Sequence, residues 1–358
     1  KRASKKHLAQ YFKENNWIFG RGLNADSKRL DFIPSPIIGT VHIARYHTDL
    51  TAAKFNGAKK FRNVIAGLFE PPVVVFKQGQ HNGEIACSLF MEKAYFTTTA
   101  NALNCDNIDD KKILVTYLNS RLAKYFLFLT TSSWGVEREQ IYLNEVLALP
   151  SPFDGLTINS RKTIVDCFDQ IYALSGKPLP DIIEIKRLEA IAEKIFEQAF
   201  RFSEKDIIYV NDTLDFCFGI FQKGKSATGY HRVLLTESKR YAETLLKSLS
   251  KLLSDTNLIP KITIFEGSLN EPLQLVVLEM NSVKMSVENG TMGEFRDTLR
   301  RIDSYLWKQQ SESVYMRRTL TYYEDNRVYL IKPNQKRFWS RMQAYDDAAS
   351  IINDIMNM

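Results

Sequence analysis

A change of hydrophobic period at Pro150-Ser151-Pro152 constrains this chain more than any other feature. Before it, short β-branched and aromatic runs alternate with prolines and polar turns, the texture of buried strands. After it, apolar residues recur every three to four positions through 159–223, the texture of packed helices. From about 230 onward the two textures alternate. Neither an all-helical bundle nor a β-sandwich fits, and α+β is the expected class. At roughly 100–200 residues per domain, the 358 residues imply two or three domains. The natural divisions lie near 155 and 228, giving segments 1–155, 156–228 and 229–358.

Within the first segment, a short helix is expected over 5–17. Strand-like runs follow at 37–43, 71–76, 85–90 and 94–99. The pattern predicts one helix over 109–130, with Asp109 and Asp110 complementing its dipole. In the last segment strands at 230–235, 262–265 and 273–280, helices at 237–253 and 344–356, a helix or a strand plus helix at 295–307, and a hairpin around Asp325-Asn326 are expected. No apolar run approaches the ~20 residues needed to span a bilayer, so no membrane role is expected. Four dispersed cysteines fit free thiols in a reducing cytoplasm, and the five histidines form no ligand motif, so no metal is expected.

The net charge of +7 is unevenly placed, for residues 1–60 hold twelve Lys/Arg against four Asp/Glu. Such a concentrated positive field attracts phosphate backbones whatever their sequence. A lysine-rich solvated surface would look the same.

Catalytic motifs are missing. Gly20-Arg21-Gly22 lacks the buried strand that leads into a nucleotide-binding glycine loop, and reads as a simple loop. Phe69-Glu70-Pro71-Pro72 reads as a turn that opens a strand. Asp181, Glu184 and Lys186 carry the letters of a metal-dependent nuclease but fall within a turn or two of one helix. They read as a helix N-terminus with acidic first-turn residues.

An ordered set of segments carries a resemblance. Leu68-Phe69-Glu70-Pro71-Pro72-Val73-Val74-Val75 leads into a polar turn at 77–83. Phe96-Thr97-Thr98-Thr99 follows, then Leu118-Asn119-Ser120-Arg121-Leu122, Trp134-Gly135-Val136-Glu137-Arg138 and Leu149-Pro150. Over residues 30–153 the chain resembles the target recognition domain of N6-adenine DNA methyltransferases from restriction-modification and phage-defence systems. In that family a Leu-Asn-Ser-x-Leu helix packs beside a recognition sheet. Residues 159–223 are similar to the helical spacer that follows such domains, and the role of 229–358 is left open.

The resemblance implies double-stranded DNA as partner, with other restriction or defence subunits beside it. The start at Lys1 suggests a fragment, with the methyl-transfer chemistry and its S-adenosylmethionine upstream and no cofactor in the fragment itself. Under this reading Lys77, Gln78, Gln80, His81 and Asn82 occupy a hairpin tip, where Gln or Asn can read adenine edges, and Arg138 faces a groove. Arg45, Lys54, Lys59, Lys60 and Arg62 supply phosphate contacts that position the duplex. An ordinary solvated turn and a structural corner at Trp134 and Arg138 account for the same residues. So does a protein-protein docking module of a defence complex with no DNA specificity of its own.

Overall fold

The computed structural model describes residues 6–25, 36–54, 61–62, 65–79, 83–131, 140–254, 256–265, 271–308 and 319–357. The chain is α+β and divides into two compact units, Lys1–Val210 and Asn211–Met358. The helical stretch after 156, set apart as a spacer from sequence, runs to 210 within the same unit as the strands that precede it.

The first unit opens with α1 (Leu8–Glu14) and β1 (Ile18–Arg21), then a small ladder between β2 (Asn24–Ala25) and β3 (Phe61–Arg62). β4 (Val73–Lys77), β5 (Cys87–Phe90) and β6 (Ala100–Asn104) complete an antiparallel sheet of order β1-β6-β4-β5. Val73 to Phe76 are all buried because β4 is covered on both faces. Val73, Val75, Ala100 and Ala102 meet Phe69, Phe90 and Phe96 in one core. Strand alternation turns Val74, Phe76 and Leu103 to the opposite face. That face is covered by α2 (Ile108–Leu118), which packs on β4 and β5. Beyond α2 lie α3 (Arg121–Thr130), α4 (Leu143–Leu147), α5 (Ile158–Ser175), α6 (Ile182–Ala199) and α7 (Glu204–Asp212). α5 and α6 pack on each other and on α2.

Three expectations need correction here. The helix predicted over 109–130 is two helices. Asn119 ends α2, and the Ser120 hydroxyl accepts from the Ala123 N–H at 3.1 Å to cap α3. The run 37–43 is not a strand: Ile37 makes isolated bridges to Lys54 and Tyr95, after which Thr40–His42 turns as a 3₁₀ helix. Residues 94–99 form a connector, and the strand begins only at Ala100. By contrast, Asp181 caps α6 through the Ile183 and Glu184 N–H groups, and Glu184 pairs with Arg187, as a helix start requires.

The second unit begins with a π-helical turn (Thr213–Phe218), α8 (Gly219–Lys223) and α9 (Leu235–Leu252). β7 (Ile259–Phe265), β8 (Leu273–Glu279) and β9 (Asn281–Asn289) follow, then α10 (Met292–Lys308), β10 (Leu320–Glu324), β11 (Arg327–Pro333) and α11 (Arg341–Asn357). The sheet order is β10-β11-β8-β7-β9, antiparallel except where β9 runs parallel to β7. α9 and α11 supply Tyr241, Leu245, Leu249 and Ile351 to one face, against Ile262, Ile264, Val276 and Leu278. Phe295 and Ile302 of α10 cover the other. The strand expected at 230–235 is absent. Thr228–Tyr230 is a 3₁₀ turn, and the Glu237 carboxylate accepts from the Leu234 N–H at 2.8 Å, starting α9 at Leu235.

Candidate nucleic-acid interface

The connector at residues 95–99 is tied, through intervening backbone pairings, to the segments that carry Lys54 and Arg62. Tyr95 bridges to Ile37, whose backbone exchanges two 3.0 Å hydrogen bonds with Lys54. The Leu23 N–H donates to the Phe96 carbonyl at 2.7 Å. One residue on, Asn24 pairs with Arg62 in the β2–β3 ladder. The Gln78 N–H donates to the Thr99 carbonyl at 2.9 Å, and the Gln78 carbonyl accepts from the Ile141 N–H at 2.9 Å. Gly79 and Gln140 then form an isolated antiparallel bridge.

On this connector Thr97 and Thr99 are exposed, Tyr95 and Thr98 are partly buried, and Phe96 lies in the core. The Thr97 and Thr99 hydroxyls lie 3.0 Å apart, and Thr99 donates to the Thr40 hydroxyl at 3.3 Å. Arg21, exposed at the end of β1, donates to the Thr98 carbonyl at 3.3 Å. Gly22 makes this approach possible. A Cβ there would sit 2.2 Å from the Thr97 carbonyl oxygen and 2.6 Å from that of Phe96. The glycines of Gly20-Arg21-Gly22 thus serve strand packing rather than a cofactor.

The sequence candidates occupy unequal positions. Lys54 is exposed. Arg62 has its backbone in β3. Lys77 ends β4 partly buried, where desolvation pushes its ammonium below the ordinary lysine value. Gln78 is buried at 7% exposure. Arg45 is engaged internally: it pairs with Glu84 at 2.8 Å and Glu189 at 2.6 Å and donates to the Asn119 carbonyl at 2.7 Å. A phosphate at Arg45 would have to displace two carboxylates. Lys59, Lys60, Gln80, His81, Asn82 and Arg138, with Trp134, lie outside the described residues.

Sequence reasoning missed Arg21, Thr40, Thr97 and Thr99 as surface groups. Their one signal was the threonine run itself, which β-propensity assigns to a strand. Asn119 does what its motif suggested and ties helix to sheet. Its Oδ1 accepts from the Cys87 N–H at 3.2 Å and its Nδ2 donates to the Cys87 carbonyl at 2.8 Å. The basic-aromatic run at 332–341 is largely interior. Lys332 is buried against Asp347 and Tyr241, Phe338 and Trp339 are buried, and the Trp339 indole donates to the Pro333 carbonyl at 2.9 Å.

Among the described residues no group of three or more His, Cys, Asp or Glu could hold a metal, and no helix is long and apolar enough to cross a membrane.

No protein-family model matches the chain, and no curated protein does. Weak structural resemblances include two to restriction-modification proteins. One is the type IIG restriction endonuclease BpuSI, at 12% identity and a TM-score of 0.33, over 55% of this chain and 31% of that one. The other is a chain of a type I restriction-modification system, at 15% identity and a TM-score of 0.27, over 54% of this chain and 50% of that one. The matches therefore span half or less of those chains.

Proposed function

We propose that the first unit binds double-stranded DNA as the specificity portion of an adenine-N6 methyltransferase of a restriction-modification or phage-defence system. The observation that carries the reading is the exposed Arg21 held on the Thr98 carbonyl beside the exposed Thr97 and Thr99, with the exposed Lys54 joined to the same connector through Ile37 and Tyr95. Guanidinium, ammonium and hydroxyl groups are the usual donors to phosphate oxygens, and they fix the register of a duplex. Gln80, His81, Asn82 and Arg138 are assigned the reading of base edges in this proposal. Methyl transfer and S-adenosylmethionine belong, in this reading, to a catalytic part outside these 358 residues.

Duplex binding measured against salt tests the proposal. Affinity should fall steeply with added salt, and Arg21→Ala or Lys54→Ala should flatten the log–log slope by about 1 each, for any sequence. Asn82→Ala should instead change which duplexes are preferred. Absence of duplex binding at low salt refutes the proposal and favours the docking-module reading.

A further inference from the structure

The second unit gathers cations on a set of short turns. Residues 216–236 and 333–345 hold three Lys/Arg each and no Asp or Glu. The fold brings the two segments together. The Lys336 N–H donates to the His231 carbonyl at 2.9 Å. A Cβ at Gly229 would stand 3.0 Å from the Ile220 side chain and 3.5 Å from the Arg337 Cβ, so α8 and the Thr228–Tyr230 and Lys336–Phe338 turns pack on one another. Gly219-Ile220-Phe221-Gln222-Lys223-Gly224-Lys225-Ser226 has the spacing of a phosphate-binding glycine loop. Here Gly219–Lys223 is helical and a π-helical turn leads into it, so the backbone forms no cradle for a nucleotide's phosphates. Gly224 instead turns the chain at φ 51°, and Lys223 and Lys225 on either side are exposed. Two cations of these segments are engaged within the unit: Lys336 pairs with Glu237 at 2.7 Å, and the Arg341 Nε donates to the Thr244 hydroxyl at 3.3 Å. Arg337 differs. Its guanidinium lies 4.4 Å from the centre of the Tyr230 ring and 4.6 Å from that of Phe338, and its Nε donates to the Gln335 Oε1 at 3.0 Å. Rings and an amide orient the group without cancelling its charge. Among the described residues Lys223, Lys225 and Arg337 meet no carboxylate.

We propose that this surface holds the phosphodiester backbone of a nucleic acid and gives the second unit a DNA contact of its own. An acidic protein segment, the other polyanion, would need apolar anchors set between its charges. The exposed residues beside the two lysines are Gly224, Ser226 and Thr228, small or polar, whereas Ala227 and Gly229 are buried. Small residues let a phosphate chain come close. A pair of ammonium groups beside a ring-stacked guanidinium supplies the donors that phosphate oxygens take, without reading sequence. The proposal rests on the nucleic-acid reading above for its partner and uses none of the first unit's residues.

The test is fluorescence anisotropy of the full chain with a labelled duplex across a salt series. Lys223→Ala with Lys225→Ala should flatten the log–log slope by about 2, and Arg337→Gln by about 1, for any sequence. Where Arg337→Gln lowers stability, the two exposed lysines carry the test. Lys251→Ala, fourteen residues along α9 from Glu237 and so about 21 Å away, controls for net charge and should leave the slope unchanged. Wild-type slopes in the Lys223/Lys225 variant overturn the proposal, and so does an equal effect of Lys251→Ala. Displacement of the duplex by a glutamate peptide of equal charge, lost in the same variants, assigns the surface to an acidic protein partner and also overturns it. Flattening by Arg21→Ala but not by the Lys223/Lys225 variant leaves the function proposed above standing alone. The opposite pattern strikes that function and leaves this surface standing, and no duplex binding at low salt removes both.

Discussion

Replacing Asn119 with alanine should destabilise the first unit by about 2–4 kcal/mol. β5 is an edge strand, and Cys87 turns its N–H and C=O to the outer side of that edge. Asn119 is 6% exposed and Cys87 fully buried, so water cannot replace the amide. Truncation orphans the Cys87 N–H, which costs about 1–3 kcal/mol for a buried donor. The Cys87 carbonyl keeps its 2.7 Å bond from the Tyr46 N–H, so its loss adds only the ~1 kcal/mol of an ordinary hydrogen bond. Asn119→Asp retains an acceptor for the N–H but aims a carboxylate at the Cys87 carbonyl, and should be at least as damaging above pH 5. Urea unfolding, followed by hydrogen exchange of the peptide over 85–90, reads both effects. Exchange there should quicken before the rest of the sheet opens. Stability of Asn119→Ala within 0.5 kcal/mol of wild type, with exchange at 87 unchanged, would refute the edge-capping argument.

Glu193 accepts from the Arg121 N–H at 3.0 Å at the start of α3, and burial raises its carboxyl from 4.5 to about 7. A raised folded value means the folded state binds the proton more tightly. The contribution of Glu193 is therefore full below pH 4.5 and is lost as pH rises to about 7. At 1.36 kcal/mol per unit the decline amounts to about 3 kcal/mol, and Glu193→Gln should remove this contribution from a stability–pH profile. In the second unit, Asp347→Asn leaves the Lys332 ammonium buried without its partner charge. A loss of about 3–5 kcal/mol is expected in thermal or urea unfolding, and Lys332→Met in the same chain should recover much of it. Gly22→Ala forces the Thr97 carbonyl away from β1. Duplex affinity should fall together with stability, whereas Arg21→Ala should lower affinity alone.

How far the fold was legible follows from what each element depends on. α5 and α6 were readable because their buried residues, Ile164, Phe168 and Ile171, then Leu188, Ala192 and Phe196, repeat at helical spacing. β4 was readable as an unbroken apolar run, and the β10–β11 turn from Asp325, which sits at φ 49° as a short polar residue can. The break at Asn119–Ser120 was hidden, because Leu118 and Leu122 continue the apolar period across it and both are buried. Only the pairing with Cys87, 32 residues away, gives Asn119 its reason. β6 escaped because Ala100, Asn101, Ala102 and Asn104 have low strand propensity. Its small side chains are wanted there because Phe69, Phe90 and Phe96 already fill the core above it.

The candidate site was less legible than the fold, and for a different physical reason. Local sequence reports how many charges a segment holds, but whether a charge faces solvent is decided by partners elsewhere in the chain. Arg45 and Arg21 stand in the same basic segment, and nothing nearby separates them. Arg45 is claimed by Glu84 on one side and by Glu189, 144 residues away, on the other. Arg21 meets a backbone carbonyl and stays exposed. A carbonyl satisfies one N–H without cancelling the positive charge, so Arg21 keeps its field while Arg45 loses most of its own to two carboxylates. The +8 of residues 1–60 therefore overstates the field that a duplex would meet there. A salt slope steeper than Arg21 and Lys54 can supply would have to come from other cations of the chain, Lys28, Arg29, Lys59 and Lys60 among them. Charge reversal at Lys59 and Lys60, measured beside Arg45→Gln, tests the distinction between open and internally paired cations: only the reversal should move the slope.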